Sequence, residues 1–319
     1  MTGLLERVRQ ACARVAEEAA FVRLDESALE RWVEARAASP PELASLDPAH
    51  HRVGDEDTTL AFVLTVDAIN FGSGWFPVLA KRPGLSGYQS IATALKEHFE
   101  REGAWSAAAL RTLDAADCSR VLGQTGNSAV DELMQHFARA LADLGAWLEA
   151  SHGGSFRAAV EAAKGSAEAL AESLAEMPLY RDVSRYRGFE VPLYKRAQIT
   201  ASDLAAAFEG RGPGRFHDLD RLTIFADNLV PHVLRCEGVL VYAPALAKRI
   251  ERGQLLPSGS PEEVEIRAVA LHAVERAVDG LRRRGVAIHA GALDHELWNR
   301  GQAPEIKAHP RHRTRSTYY

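Results

Sequence analysis

Residues 260–278 read SPEEVEIRAVALHAVERAV and decide the helical character of the chain. Ser260, Pro261 and Glu263 form a helix start, in which Ser caps the first turn, Pro takes the first helical position and Glu closes a capping box. A mostly apolar run follows up to Val278, which predicts one long helix. A chain with such an element is expected to be mainly α-helical.

Other segments agree with a helical class. Apolar residues spaced by three and four recur over residues 4–19 and 133–148. The Ala-rich run 156–174 predicts a third helix, and the apolar run 59–66 is interpreted as helix rather than strand. Strand signals are few, and the clearest is the alternation over residues 189–193. We therefore expect one mainly α domain over residues 1–319, with a few short strands, an N-terminal helical region 1–45 and a tail 305–319.

Composition and charge exclude several classes of protein. The chain has 319 residues, of which 46% are apolar and 25% charged, as in an ordinary globular protein. Its net charge of −5 provides no broad cationic field for a polynucleotide, so direct nucleic-acid binding is disfavoured. No apolar window reaches the length of a membrane span, and the N-terminus has no leader pattern. We expect a cytoplasmic protein without a membrane partner.

The three cysteines do not indicate a metal site or a disulfide framework. Cys12, Cys118 and Cys236 are far apart and lack the C-x-x-C spacing of zinc ligands. Small buried thiols are the simplest interpretation.

Two runs place charges among large apolar residues. They are RDVSRYRGFEVPLYKRAQIT at 181–200 and LTIFADNLVPHVL at 222–234. Asp227 stands inside the second run, where an ionised carboxylate is costly to bury unless it is paired or used in chemistry. Lys195 and Arg196 offer cations on the first run. Asp227 is therefore a candidate catalytic residue, with a helix cap or a structural ion pair as the alternative.

Together with four further segments, these runs resemble the queuosine salvage protein family from about residue 47 to the C-terminus. The further segments are VDAINFGSGWFP at 66–77, GSPEEVEIRA at 259–268, LDHELW at 293–298 and the terminal HRTRSTYY. The resemblance implies an N-glycosidase that hydrolyses queuosine 5′-phosphate to queuine and ribose 5-phosphate. It also implies an architecture similar to helical DNA glycosylases and a site without metal or cofactor.

The implied reaction gives the candidate residues roles. Breaking a ribosyl C–N bond develops positive charge on the sugar, and Asp227 suits the anion that stabilises it. Lys195 either pairs with Asp227 or binds the 5′-phosphate, although a surface lysine is the alternative. The guanine-like edge of queuine offers adjacent N–H donors to a carboxylate, for which Asp294 is the candidate, with Trp298 beside the ring. Asp294 could instead be a helix cap.

The remaining candidates are predicted to bind substrate. Asn70 to Trp75 supply glycines for close backbone approach and rings for stacking, although a plain turn explains NFGSGW equally well. His51 is a hydrogen-bonding candidate or part of an exposed loop. The basic tail is expected either to fray or to fold back towards the site. The substrate-binding candidates are His51, Asn70, Phe71, Trp75, Arg196, Phe225, Asp294, Trp298 and Tyr319.

Two other functions remain open from the sequence. A noncatalytic protein that binds queuine or a related nucleoside would differ only in whether Asp227 performs chemistry. A DNA glycosylase that extrudes a base would present a strongly basic face, which the net charge of −5 disfavours.

Overall fold

The computed structural model describes residues 2–39 and 51–319, and this part of the chain is mainly helical. Its helices are α1 (Leu4–Glu18), α2 (Glu26–Ala38), α3 (Glu56–Ala68), α4 (Gly87–Glu102), α5 (Ala107–Leu110), α6 (Ala115–Val121), α7 (Asp131–His152), α8 (Phe156–Ala162), α9 (Ala167–Leu174), α10 (Lys195–Ala207), α11 (Val230–Cys236), α12 (Pro244–Glu251), α13 (Pro261–Arg283), α14 (Ala290–Arg300) and α15 (Pro304–Lys307). Its strands are β1 (Val22–Leu24), β2 (Val183–Tyr186), β3 (Phe189–Pro192) and β4 (Leu240–Tyr242). Among the described helices, none has both the length and the hydropathy needed to cross a bilayer.

The chain divides into two compact units, each assembled from separated segments. Unit 1 comprises residues 1–45, 182–195 and 220–315. Unit 2 comprises residues 46–181, 196–219 and 316–319. The mainly α class with a few short strands is confirmed. The single-domain boundaries and the similarity to DNA glycosylases stay predictions.

Helix α13 forms the centre of unit 1, where it packs against α1, α2, β1, α11 and α14. Residues 263–271 are buried on all sides of the helix, which is typical of a core helix. The predicted start is confirmed, since the Ser260 side chain accepts from the backbone N–H of Glu263. The capping box also predicts that the Glu263 carboxylate accepts from the backbone N–H of Ser260, and this prediction is wrong. The carboxylate accepts instead from the backbone N–H of Gly259, at 3.1 Å, one residue before the cap.

A buried carboxylate on α13 holds the connection between α1 and β1. Glu265 accepts from the backbone N–H groups of Ala20, Phe21 and Val22, with Oε2 distances of 3.0, 2.6 and 2.9 Å. The hydroxyl of Tyr186 on β2 donates to Oε1 of the same carboxylate, at 2.8 Å. These donors satisfy a charge that burial would otherwise make very unfavourable.

Unit 1 contains both small antiparallel sheets. Strand β1 pairs with β4, so that Val22 lies opposite Tyr242. Strands β2 and β3 form a hairpin with Tyr186 opposite Phe189. The strand predicted over residues 189–193 is therefore confirmed as β3.

In unit 2, α7 packs against α3, α5, α6 and α8. The helices predicted over residues 133–148 and 59–66 are confirmed within α7 and α3. Helix α3 begins after Asp55, whose side chain accepts from the backbone N–H of Thr58 and caps the first turn. Its last turn carries Asp67, which is completely buried.

The single helix predicted over residues 156–174 is wrong, because the chain breaks it into α8 and α9. Lys164 and Gly165 adopt positive φ angles of 51° and 73°, which no helix accommodates. Ser166 then caps α9, since its side chain accepts from the backbone N–H of Ala169. The buried Asp218 accepts from the Ser166 hydroxyl at 2.8 Å and from the backbone N–H of Ala167 at 2.6 Å. The Gly-Ser pair inside the Ala-rich run was the available signal for this break.

Candidate functional site

Asp227 interrupts a buried segment of unit 1. Residues 222–226 and 228–234 are all buried, whereas Asp227 is half-buried. Its Oδ1 accepts from the backbone N–H groups of Leu229, at 2.6 Å, and Val230, at 3.3 Å, where α11 begins. These two bonds have the capping geometry that the sequence left open as an alternative. They fix the orientation of a carboxylate that stays partly accessible to solvent.

A buried ion pair supports the segment in front of Asp227. Arg267 on α13 donates from both terminal nitrogens to the carboxylate of Asp182, at 3.0 and 2.6 Å. Its Nε donates to the backbone oxygen of Ala226, at 2.9 Å. Arg267 thereby ties the residue preceding Asp227 to the start of the 181–200 run.

Lys195 is joined to the same ion pair through its backbone. The side chain is only 5% exposed, which excludes the surface-lysine alternative. Its backbone N–H donates to Oδ2 of Asp182, at 3.2 Å, where α10 begins. The predicted catalytic role of the Lys195 amine stays a prediction.

Asp294 lies in α14 and holds the backbone next to Asp227. The helix-cap alternative is wrong, because the side chain of His289 caps α14 and Asp294 stands more than one turn inside it. Asp294 is 4% exposed, and its Oδ1 accepts from the backbone N–H of Phe225, at 2.8 Å. Trp298 is half-buried one turn further along α14. Its contact with a base stays a prediction.

The part of the tail in unit 1 is packed rather than frayed. The backbone oxygen of Arg313 accepts from the N–H of Leu256, at 2.9 Å, and His312 is almost completely buried. Burial, together with the charges of Arg267 and Arg311, lowers the pKa of His312 to about 3. His312 is therefore neutral at physiological pH.

In unit 2, Arg196 lies between two aromatic rings. Its guanidinium carbon is 4.7 Å from the ring centroid of Phe71 and 4.5 Å from that of Tyr180. The same group donates to the backbone oxygens of Ala68, at 2.5 Å, and Leu179. These contacts anchor the end of α3, and the predicted substrate-binding roles of Arg196 and Phe71 stay predictions.

The loop after α3 receives the last residue of the chain. The backbone N–H groups of Gly72 and Ser73 donate to the backbone oxygen of Tyr319, at 2.9 and 3.4 Å. Asn70 donates to Oδ1 of the buried Asp67, at 3.2 Å. Trp75 is 1% exposed and donates from Nε1 to Glu132, at 3.0 Å. The NFGSGW segment is therefore a tightly fixed turn, and Tyr319 belongs to it.

His51 is half-buried and faces a carboxylate of unit 2. Its Nδ1 lies 3.9 Å from Oδ2 of Asp203, a residue of α10 that is 4% exposed. The exposed-loop alternative for His51 is wrong, while its predicted role in binding substrate stays a prediction.

Asp203 also acts on the hydroxyl of Tyr88. Burial raises the pKa of Tyr88 well above its usual range, and the negative charges of Asp203 and Asp67 raise it further.

The structure thus assigns the predicted residues to two groups. Unit 1 contains Lys195, Phe225, Asp227, Asp294 and Trp298. Unit 2 contains His51, Asn70, Phe71, Trp75, Arg196 and Tyr319. In unit 1, hydrogen bonds through Asp182, Arg267 and Ala226 connect Lys195 to the segment that carries Asp227.

Comparison with known proteins identifies the family. The family model described as queuosine salvage protein matches residues 49–319. The chain belongs to this family. A relative from Sphaerobacter thermophilus is 37% identical over 311 residues, which cover 96% of this chain and 95% of the relative. One from Mus musculus is 31% identical over 98% of both chains, and one from Bos taurus is 30% identical over the full length of both. All three relatives are named queuosine 5′-phosphate N-glycosylase/hydrolase.

Sequence reasoning about this family member missed the residues that support Asp227. Asp182 and Arg267 stand inside quoted segments, but an Arg next to apolar neighbours on a helix has no local signal of a distant partner. Only the packing of α13 against β2 makes the pair visible.

Within the described residues, no group of three or more His, Cys, Asp or Glu side chains could hold a metal ion.

Proposed function

We propose that the protein hydrolyses the N-glycosidic bond of queuosine 5′-phosphate and releases queuine and ribose 5-phosphate. The observation that carries the proposal is a partly accessible carboxylate, Asp227, held by two amides inside a buried run of a queuosine salvage family member. Full-length relatives bear the name of this activity.

The proposed chemistry begins at the anomeric carbon. The bond between C1′ and the base nitrogen breaks with its electron pair on the base, and positive charge spreads over C1′ and the ring oxygen. Asp227 faces this charge as a fixed anion. Water then adds its oxygen to C1′ and loses a proton, while the departing base takes up a proton. The products are one ribose 5-phosphate and one queuine.

Asp227 needs little rearrangement for this role. Its carboxylate is already oriented by the backbone N–H groups of Leu229 and Val230. The preceding residue, Ala226, is held by a hydrogen bond from Arg267 to its backbone oxygen. A charged group that is oriented before the reaction stabilises developing charge more effectively than a mobile one.

The leaving base needs its own recognition. A 7-deazapurine has no N7 lone pair to protonate, so help for the leaving group comes through the other edges of the ring. We assign recognition of the base to Asp294, whose carboxylate holds Phe225 and can accept the N–H donors of the guanine-like edge, because each oxygen has two lone pairs. Trp298 then lies against the ring.

The proposed substrate is the free nucleotide in the cytoplasm. A net charge of −5 is unfavourable for tRNA, so queuosine inside a tRNA should not be cleaved.

Release of the base from the nucleotide tests the function. Purified protein is incubated with queuosine 5′-phosphate, with queuosine-containing tRNA and with no substrate, and free queuine is followed by chromatography. We expect queuine from the nucleotide alone. If the wild-type protein binds queuine in a calorimetric titration but releases none, it is a carrier and the enzymatic proposal is wrong.

A further inference from the structure

Arg311 departs from the burial pattern of the tail. Burial alternates over residues 312–315 as it does along an extended chain: His312 and Thr314 are buried, and Arg313 and Arg315 are exposed. Alternate side chains of an extended chain point to opposite sides, so Arg311 should be exposed like Arg313. It is half-buried instead. Neighbouring parts of the protein therefore cover the Arg311 side chain but not the Arg313 side chain.

The contacts of the preceding residues show where Arg311 lies. The ring Nε2 of His232 and the backbone oxygen of Ile306 are 3.1 Å apart, and Arg235 donates to the backbone oxygen of Pro310, at 3.4 Å. Both partners belong to α11, the helix that starts immediately after the Asp227 turn. The chain before Arg311 thus lies along α11, from His232 in its first turn to Arg235 in its last turn.

Arg311 carries a charge without an internal partner. Within the described residues, no hydrogen bond or ion pair engages its guanidinium, and none joins it to Asp227. Burial lowers the pKa of Arg311, the negative charge of Asp227 opposes this effect, and Arg313 adds to the lowering. A half-buried guanidinium with no partner in the described part of the chain keeps its N–H donors available to an external anion.

We propose that Arg311 binds the phosphate of the nucleotide while Asp227 faces its sugar. This inference rests on the proposed function, and it names the residue that confers preference for a 5′-phosphate. A guanidinium offers two parallel N–H donors that match two phosphate oxygens. Because the phosphate is remote from the bond that breaks, its binding energy positions the sugar against Asp227 and raises turnover as well as affinity.

The test compares nucleotide and nucleoside in matched variants. Arg311→Gln removes the half-buried charge, and Arg313→Gln removes an exposed charge two residues away in the same segment. The measured quantity is the ratio of kcat/KM for queuosine 5′-phosphate over queuosine. We expect a fall of about 10- to 100-fold in Arg311→Gln, the range for loss of a charge-assisted hydrogen bond, and a change of less than about threefold in Arg313→Gln.

Binding of ribose 5-phosphate provides a second readout that does not need turnover. Calorimetric titration should show weaker binding by Arg311→Gln, intermediate binding by Arg311→Lys, and wild-type binding by Arg313→Gln. If Arg311→Gln fails to fold, the folded Arg311→Lys variant must show the reduced ratio. An unchanged ratio in a folded Arg311 variant, or equal losses in both Gln variants, overturns the inference. A wild-type protein that hydrolyses neither substrate contradicts the proposed function instead, and the titration then decides the role of Arg311 separately.

Discussion

Arg267 and Asp182 form a doubly hydrogen-bonded ion pair whose side chains are 1% and 2% exposed. The pair spans sequence positions 85 residues apart and joins α13 to the start of β2. Arg267 also holds the backbone oxygen of Ala226, and Asp182 accepts the backbone N–H of Lys195. One buried contact therefore determines the positions of the backbone next to both predicted catalytic residues.

Breaking this pair should destabilise the fold strongly. Asp182→Asn removes the carboxylate that accepts two hydrogen bonds from Arg267 and leaves only Glu263, whose Oε1 is 3.6 Å from Nη1 of Arg267. We expect a loss of about 3 kcal/mol in the free energy of unfolding, the lower end of the range for a broken buried ion pair. Urea denaturation measures it. Arg276→Gln on the same helix is the control, because its pair with Glu26 is exposed and should contribute less than about 1 kcal/mol. Equal effects of the two substitutions would contradict a special role for the buried pair.

Asp227 can be tested with two substitutions that separate charge from capping. Asp227→Asn keeps an oxygen acceptor for the N–H of Leu229 but removes the charge, so turnover should fall by about 10²-fold or more with little change in stability. Asp227→Ala also removes the cap and should lower the free energy of unfolding by about 1 kcal/mol. Rates of queuine release and thermal unfolding measure the two effects. Turnover within threefold of wild type in a folded Asn variant would sink the catalytic assignment.

Asp294 should have separable roles in binding and in folding. Asp294→Asn can still accept the Phe225 N–H, so it should weaken queuine binding by roughly 1.5–3 kcal/mol while largely preserving stability. Asp294→Ala leaves that buried N–H without an acceptor and should lower stability by about a further 1–3 kcal/mol. Titration calorimetry with queuine and denaturation curves distinguish these effects. If both variants bind queuine normally, Asp294 only supports the backbone of Phe225.

Gly72 should be intolerant of any side chain. Its φ of 100° is strained for other residues, and an added Cβ would lie 2.5 Å from Cδ1 of the buried Leu133. We expect Gly72→Ala to destabilise the protein by about 1–3 kcal/mol and to weaken the attachment of Tyr319. Gly84→Ala is the matched control, because Gly84 also has a positive φ, of 77°, but open space around it. Thermal unfolding should rank Gly72→Ala as clearly the more damaging.

Neutral His312 should make the fold sensitive to acid. Its folded-state pKa of about 3 lies below the unfolded value, so from roughly pH 6.5 down to 3 the unfolded chain binds a proton that the folded chain excludes. Stability should therefore fall as the pH falls through this window, by about 2 kcal/mol at pH 5 from this group alone. His312→Gln should lose less stability than wild type between pH 7 and pH 5. Identical slopes for the two proteins would contradict the assignment.

The sequence predicted elements whose signals are local. The buried faces of α1 and α7 follow from apolar spacing, and the start of α13 follows from Ser260 and Pro261. Both signals act within one or two turns of a helix. The prediction failed at 156–174, where Gly165 divides the Ala-rich run and Ser166 caps its second half. The distant Asp218 also accepts from the first backbone N–H of that half. The sequence also predicted the wrong donor to Glu263 at the start of α13. The backbone N–H groups of Gly259 and Ser260 are adjacent, and only the packed structure shows that Gly259 is the donor.

The sequence alone determined the helical class, the family and the identity of Asp227 as a carboxylate in an apolar run, because periodicity, motif order and residue chemistry are properties of the chain itself. Only the tertiary structure decided that Asp294 holds Phe225 rather than capping a helix, that Arg267 connects Asp182 to Ala226, and that Arg311 rather than Arg313 is covered. These relationships join residues far apart in sequence. Their partners are selected by which helices pack together, and no local propensity encodes that choice.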